Sequence, residues 1–122
     1  MKLFAIGVVC VAAAACAGRD AERRARELTG GDPAVGRSAI TKYGCDGCHR
    51  IPGVWTADGT VGPPLDQLSR RMYLAGRVTN TPQNLVRFIR EPRSVDEQTA
   101  MPNTGVTERD GRDIAAYLYT LR

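Results

Sequence analysis

The chain has 122 residues, 17 basic against 13 acidic side chains for a formal charge of +4, four cysteines and one histidine. That length admits one small domain. Its basic residues are interspersed with acidic ones and form no single stripe, which excludes a nucleic-acid-binding footprint.

Met1-Lys2 gives a short positive start, and Leu3 to Cys16 is uncharged, apolar and closed by an alanine run. This predicts an exported chain with a signal peptide over residues 1–15, too short to span a bilayer. Two processing sites are open. Ala13-Ala14-Ala15 before Cys16 resembles the box that precedes a lipid-modified cysteine, although the usual bulky aliphatic residue three before the cysteine is missing. Ala15-Cys16-Ala17 instead suits ordinary cleavage after Ala17. Lipidation at Cys16 would account for an otherwise odd thiol in an oxidising compartment. Residues 16–32 are charged, with Leu28 their one large apolar residue, and read as a polar tether.

Asp32-Pro33 is a helix start, a capping carboxylate followed by proline at the first helical position. The helix should run to about Tyr43, with Val35, Ile40 and Tyr43 facing the core, and Gly44 should end it. Cys45-Asp46-Gly47-Cys48-His49 follows at once. Two thiols two residues apart and then an imidazole form the attachment signature of c-type haem. The thiols add across two vinyl groups on one porphyrin edge, and the next residue can place a neutral imidazole nitrogen on the iron. A thioredoxin-type dithiol would need a strand–helix–strand context that is absent. Structural zinc would need four ligands, but Cys10 and Cys16 lie in the apolar leader and His49 is the one histidine. A disulfide between Cys45 and Cys48 would leave His49 without a purpose.

Residues 50–65, with Pro52, Gly53, Gly59, Gly62, Pro63 and Pro64, read as loop, and 65–74 as holding a short helical turn. Thr81-Pro82 opens a helix with Leu85, Val86, Phe88 and Ile89 on its apolar stripe, stopped by Pro92. A second loop runs through Pro102 to Gly105. Thr107 with Asp110 then resembles a capping box, and Ile114, Tyr117, Leu118 and Leu121 mark the buried side of the last helix. No segment alternates, so residues 33–122 should be an all-α domain. So short a chain buries only a modest core, which a covalent porphyrin would complete.

Residues 33–122 resemble class I cytochrome c, including small bacterial mono-haem carriers and oxidase-associated cytochrome domains. The resemblance rests on Tyr43-Gly44-Cys45-Asp46-Gly47-Cys48-His49, on Gly62-Pro63-Pro64-Leu65 and on Ala100-Met101-Pro102-Asn103, in that order. It implies a fold of three to five short helices wrapped around one covalent haem c. It implies iron held by His49 and Met101, the Pro63 carbonyl accepting a hydrogen bond from His49, and Leu65 packed at the haem edge. Met72 is the competing methionine, read as a core filler in the run Met72-Tyr73-Leu74. Trp55 is a candidate for the pocket wall, for a propionate contact or for the core. Tyr73 and Arg77 are candidate propionate partners, with a solvated surface the plainer role for Arg77. Tyr117 should pack the last helix on the first. The cations here are nearly all arginine, unlike the lysine-rich mitochondrial members.

The function implied is one-electron transfer in the periplasm or cell envelope by a carrier that is not itself an enzyme. Its partners would be a quinol-oxidising complex, a dehydrogenase, or a terminal oxidase or reductase, met by a monomer with a possible lipid anchor. Two alternatives remain, a haem subunit of a larger oxidoreductase and a sensor with a labile sixth iron site.

Overall fold

The computed structural model describes the backbone of residues 3–122 and the side chains of residues 12–122. Met1, Lys2 and the side chains of the leader up to residue 11, Cys10 included, lie outside the described residues. Helix α1 spans Leu3–Thr29, α2 Pro33–Lys42, α3 Pro82–Arg90, α4 Pro92–Val95 and α5 Glu108–Tyr119. Two strands, β1 (Tyr73–Leu74) and β2 (Val78–Thr79), pair antiparallel in a hairpin, and single 3₁₀ turns cover Cys45–Gly47 and Leu68–Arg70. No helix among the described residues is long and apolar enough to cross a membrane.

The helix starts follow the cap chemistry. Asp32 Oδ1 accepts the Ala34 N–H at 2.8 Å, and Pro33 occupies the first helical position. Thr81 Oγ1 accepts the Asn84 N–H at 3.2 Å, and Thr107 Oγ1 accepts the Asp110 N–H at 3.1 Å. Each bond satisfies one of the amide donors that a helix start leaves unpaired.

The core lies where α2 crosses α5, closed by α3 and the loop that follows His49. Ile40, Ile51, Leu85, Ile114 and Leu118 are buried there. Each such side chain contributes about 2 kcal/mol of apolar burial. The helices meet through glycine. A β-carbon at Gly36 would lie 1.8 Å from the Asp113 carbonyl oxygen, and one at Gly31 would lie 2.2 Å from that of Arg112. The buried Asp113 carboxylate accepts the Asp32 N–H at 2.7 Å and ties the start of α2 to the middle of α5. At the other end of α2, Asp110 Oδ2 accepts from Tyr43 Oη at 2.6 Å and from Lys42 Nζ at 3.3 Å. The Tyr43 hydroxyl, and then the Lys42 ammonium, hold the Asp110 carboxyl below the ordinary carboxylate range.

Several expectations are corrected. The domain is mainly helical but not all-α, because the hairpin 73–79 interrupts it; Gly76 and Ala75 make its turn with positive φ of 62° and 51°. The helical turn expected in 65–74 is a 3₁₀ turn leading into that hairpin. Pro92 ends α3 as expected and then starts the single turn α4. Val35 points away from the core, since α2 buries Pro33, Gly36, Ala39 and Ile40. The supposed tether is helical through Thr29. Ala21, Ala25 and Thr29, spaced four apart on one face, are buried. Alanines present little apolar bulk, so the composition reads as polar while the face still packs closely. Tyr117 does pack on the core, and its hydroxyl donates to the Pro52 carbonyl at 2.5 Å.

Candidate cofactor-attachment site

Gly44, with a positive φ of 75°, ends α2 and turns the chain into the 3₁₀ turn Cys45–Gly47. The His49 N–H returns to the Cys45 carbonyl at 3.0 Å, so five residues close into one compact turn. Cys45 and Cys48 are both half-buried free thiols, with no disulfide between them. Burial pushes the Cys45 thiol up, with the Asp46 and Cys48 charges adding to the effect, so the sulfur stays protonated at neutral pH.

His49 is oriented from the loop opposite. Its Nδ1 lies 2.7 Å from the Pro63 carbonyl oxygen. A carbonyl only accepts, so Nδ1 carries the proton and donates it. In the neutral ring Nε2 is then left with its lone pair, the form in which imidazole binds a metal. The loop is docked by backbone bonds, Gly62 N–H to the Cys48 carbonyl at 2.7 Å and Leu65 N–H to the Arg50 carbonyl at 2.9 Å. Arg71 braces its far side by donating to the carbonyls of Pro64 and of Asp66. Leu65 and Cys45 pack against the same core cluster.

Two glycines set how closely the loop approaches. A β-carbon at Gly62 would lie 2.5 Å from His49 Cε1 and 2.7 Å from Nδ1, and one at Gly59 would lie 2.5 Å from the Cys48 carbonyl carbon. Composition alone marks both as loop glycines; only the fold shows what they make room for. Gly62→Ala should therefore push the imidazole off the Pro63 carbonyl and cost about 1–3 kcal/mol of stability. Denaturant unfolding, together with loss of a slowly exchanging His49 Nδ1 proton in NMR spectra, checks this.

Other predicted residues fall elsewhere. Met101 is half-buried in the loop after α4, its N–H donating to Thr99 Oγ1 at 3.2 Å, and no hydrogen bond joins it to the His49 turn. Trp55 is 98% exposed and does not fill the core; it stands at the rim of a surface groove with Val54, Thr56 and Tyr117, and none of Cys45, Cys48 and His49 lines that groove. Met72, at 74% exposed, is not a core filler: its backbone carbonyl receives the Asn80 N–H at 2.9 Å, and its side chain is left in solvent. Arg77 pairs with Asp96 at 3.5 Å, and Tyr73 is exposed. Sequence reasoning missed Asn80. Its Nδ2 donates to the Leu68 and Arg71 carbonyls at 2.9 and 3.0 Å, and its Oδ1 accepts from Tyr119 Oη at 2.8 Å. Burial there pushes the Tyr119 phenol up to about 12.

This donor set fits a covalently attached haem: two unpaired thiols, an imidazole with a defined free nitrogen, and a glycine-cleared approach to that ring. The chain is similar to part of a cytochrome c oxidase subunit 2. That protein, from Alkalihalophilus pseudofirmus, is 33% identical over 88 residues, which are 71% of this chain. The chain spans about a quarter (25%) of the relative's length. No protein-family model matches the chain, and no solved structure does.

Proposed function

We propose that residues 33–122 form a one-electron transfer domain of the class I cytochrome c type, working in respiratory electron transfer outside the cytoplasm. The observation that carries this reading is the compact Cys45–His49 turn, whose imidazole is tautomer-locked by Pro63 at 2.7 Å. Cys45 and Cys48 would hold haem c through thioether bonds, with His49 Nε2 and the Met101 sulfur as the donors to its iron. Haem bound there would supply one-electron chemistry. The polypeptide supplies everything else. The Pro63 carbonyl keeps the Nδ1 proton and raises the basicity of Nε2. A neutral Met101 thioether on the iron would favour its reduced state. Leu65, partly buried and packed on the core, would meet the haem edge.

The likeness to a subunit named for an oxidase supports a second form of the reading, in which this domain serves a larger oxidoreductase such as a terminal oxidase. Co-purification with such a complex, against recovery as a free monomer, separates the two. The haem reading is tested by expressing the chain with a haem-attachment apparatus, denaturing it and extracting with acidified solvent. The pigment should stay with the polypeptide, and Cys45→Ala with Cys48→Ala should release it. A colourless product, or pigment that washes out of the parent protein, overturns the assignment.

A further inference from the structure

We infer that the face of the domain formed by the C-terminal turns of α1, the 3₁₀ turn 68–70 and the C-terminal residue docks on an anionic lipid bilayer through Arg24, Arg70 and Arg122. The three guanidinium groups come from separate parts of the chain and line one groove of about 480 Å³. No Asp or Glu side chain lines it, its one carboxylate being the main-chain terminus at Arg122, and Ala21, Ala25 and the exposed Leu28 supply its apolar side. Among the described residues, none of the three arginines forms an ion pair, whereas Arg23, Arg26, Arg50, Arg77 and Arg112 do. Residues 1–11 contain no Asp or Glu to neutralise them. A neighbouring groove shares Leu28 and Pro82, but there Glu91 and Glu108 offset the arginines. The groove beside α1 therefore holds three guanidinium-bearing side chains against one main-chain carboxylate.

The polar atoms that would complete a pocket for a single small anion are already used. Ser69 Oγ donates to the Leu121 carbonyl at 2.6 Å, Tyr119 Oη to Asn80 Oδ1 at 2.8 Å, and Asn80 Nδ2 to the Leu68 carbonyl at 2.9 Å. What is left is three long cationic side chains, each from a separate part of the chain, around an apolar floor. That arrangement suits a surface of many phosphates better than one enclosed phosphate. Helix α1 says which surface. It runs unbroken from Leu3, its segment 3–16 is uncharged and apolar, and its exposed Cys16 lies eight residues before Arg24. That is about 12 Å along the helix axis. A bilayer gripping the apolar end of α1, or acyl chains at Cys16, brings these arginines to within about one or two screening lengths of the headgroups.

The test is flotation of the full chain with vesicles of pure phosphatidylcholine, or of phosphatidylcholine containing phosphatidylglycerol, at low and high salt. The protein should bind the anionic vesicles about tenfold or more tightly than the neutral ones, and the ratio should fall with salt. A variant carrying Arg24→Gln, Arg70→Gln and Arg122→Gln should lose most of that ratio. A charge-matched control carrying Arg37→Gln, Arg93→Gln and Arg109→Gln should keep it. Lys2 and the N-terminal amine would add to the ratio wherever the leader is retained, so the parent and both variants are compared in the same processed form. Equal loss in both variants, an undiminished ratio in the first, or no ratio in the parent overturns the inference. So does capture of soluble pyrophosphate by the same arginines without vesicle preference, which would make the groove a small-anion site.

Discussion

Gly36→Ala should lower the thermal unfolding midpoint by roughly 10–20 °C, a loss of about 3 kcal/mol for a domain of this size. The added methyl carbon would lie 1.8 Å from the Asp113 carbonyl oxygen, 2.4 Å from its carbon and 2.9 Å from the Ile114 nitrogen. All three are backbone atoms of α5, so no side chain can swing aside. The helices must separate, which opens the core around Ile40 and Ile114 and strains the 2.7 Å bond from the Asp32 N–H to Asp113. Gly18→Ala is the matched comparison. It lies in α1 with nothing within 4 Å of the added carbon, and helix propensity alone predicts a gain of about 0.5–1 kcal/mol. Calorimetry or denaturant unfolding of the two variants reads the contrast; equal midpoints would mean that α2 and α5 do not cross at Gly36.

With haem bound as proposed, Met101→Ala should lower the reduction potential by on the order of 100 mV or more, within the roughly 0.8 V that iron ligation commands across haem proteins. It should also abolish the weak far-red band of ferric iron bound to sulfur and let carbon monoxide bind the ferrous protein. Met72→Ala should do none of this. Its side chain is 74% exposed, so its removal should also leave stability within about 0.5 kcal/mol. Redox titration with optical detection separates the two methionines in one experiment. If Met72→Ala moved the potential and Met101→Ala did not, the sixth-ligand assignment would pass to Met72.

The corrections share a cause. Trp55 and Met72 are large apolar residues, and hydrophobicity argues for burial in both; their exposure depends on which way a loop and a hairpin edge happen to face. The hairpin has two-residue strands, too short for alternation to show. The buried face of α1 is built from alanines and a threonine that no hydropathy pattern would pick out. Asn80 gathers the Leu68 and Arg71 carbonyls of one turn and Tyr119 of α5, a role written in no local motif.

What the sequence by itself determined is local. The caps at Asp32, Thr81 and Thr107 act on amides two or three residues away, and Gly44 and the spacing of Cys45, Cys48 and His49 make one turn. Their chemistry is complete within a few residues, so it can be read without the fold. Only the tertiary structure decided how that turn is used. The proton on His49 Nδ1 is assigned by a carbonyl fourteen residues on, and the room beside the ring is kept by Gly62. Both depend on two loops being held together by a core whose members lie dozens of residues apart, and such closeness has no signature along the chain.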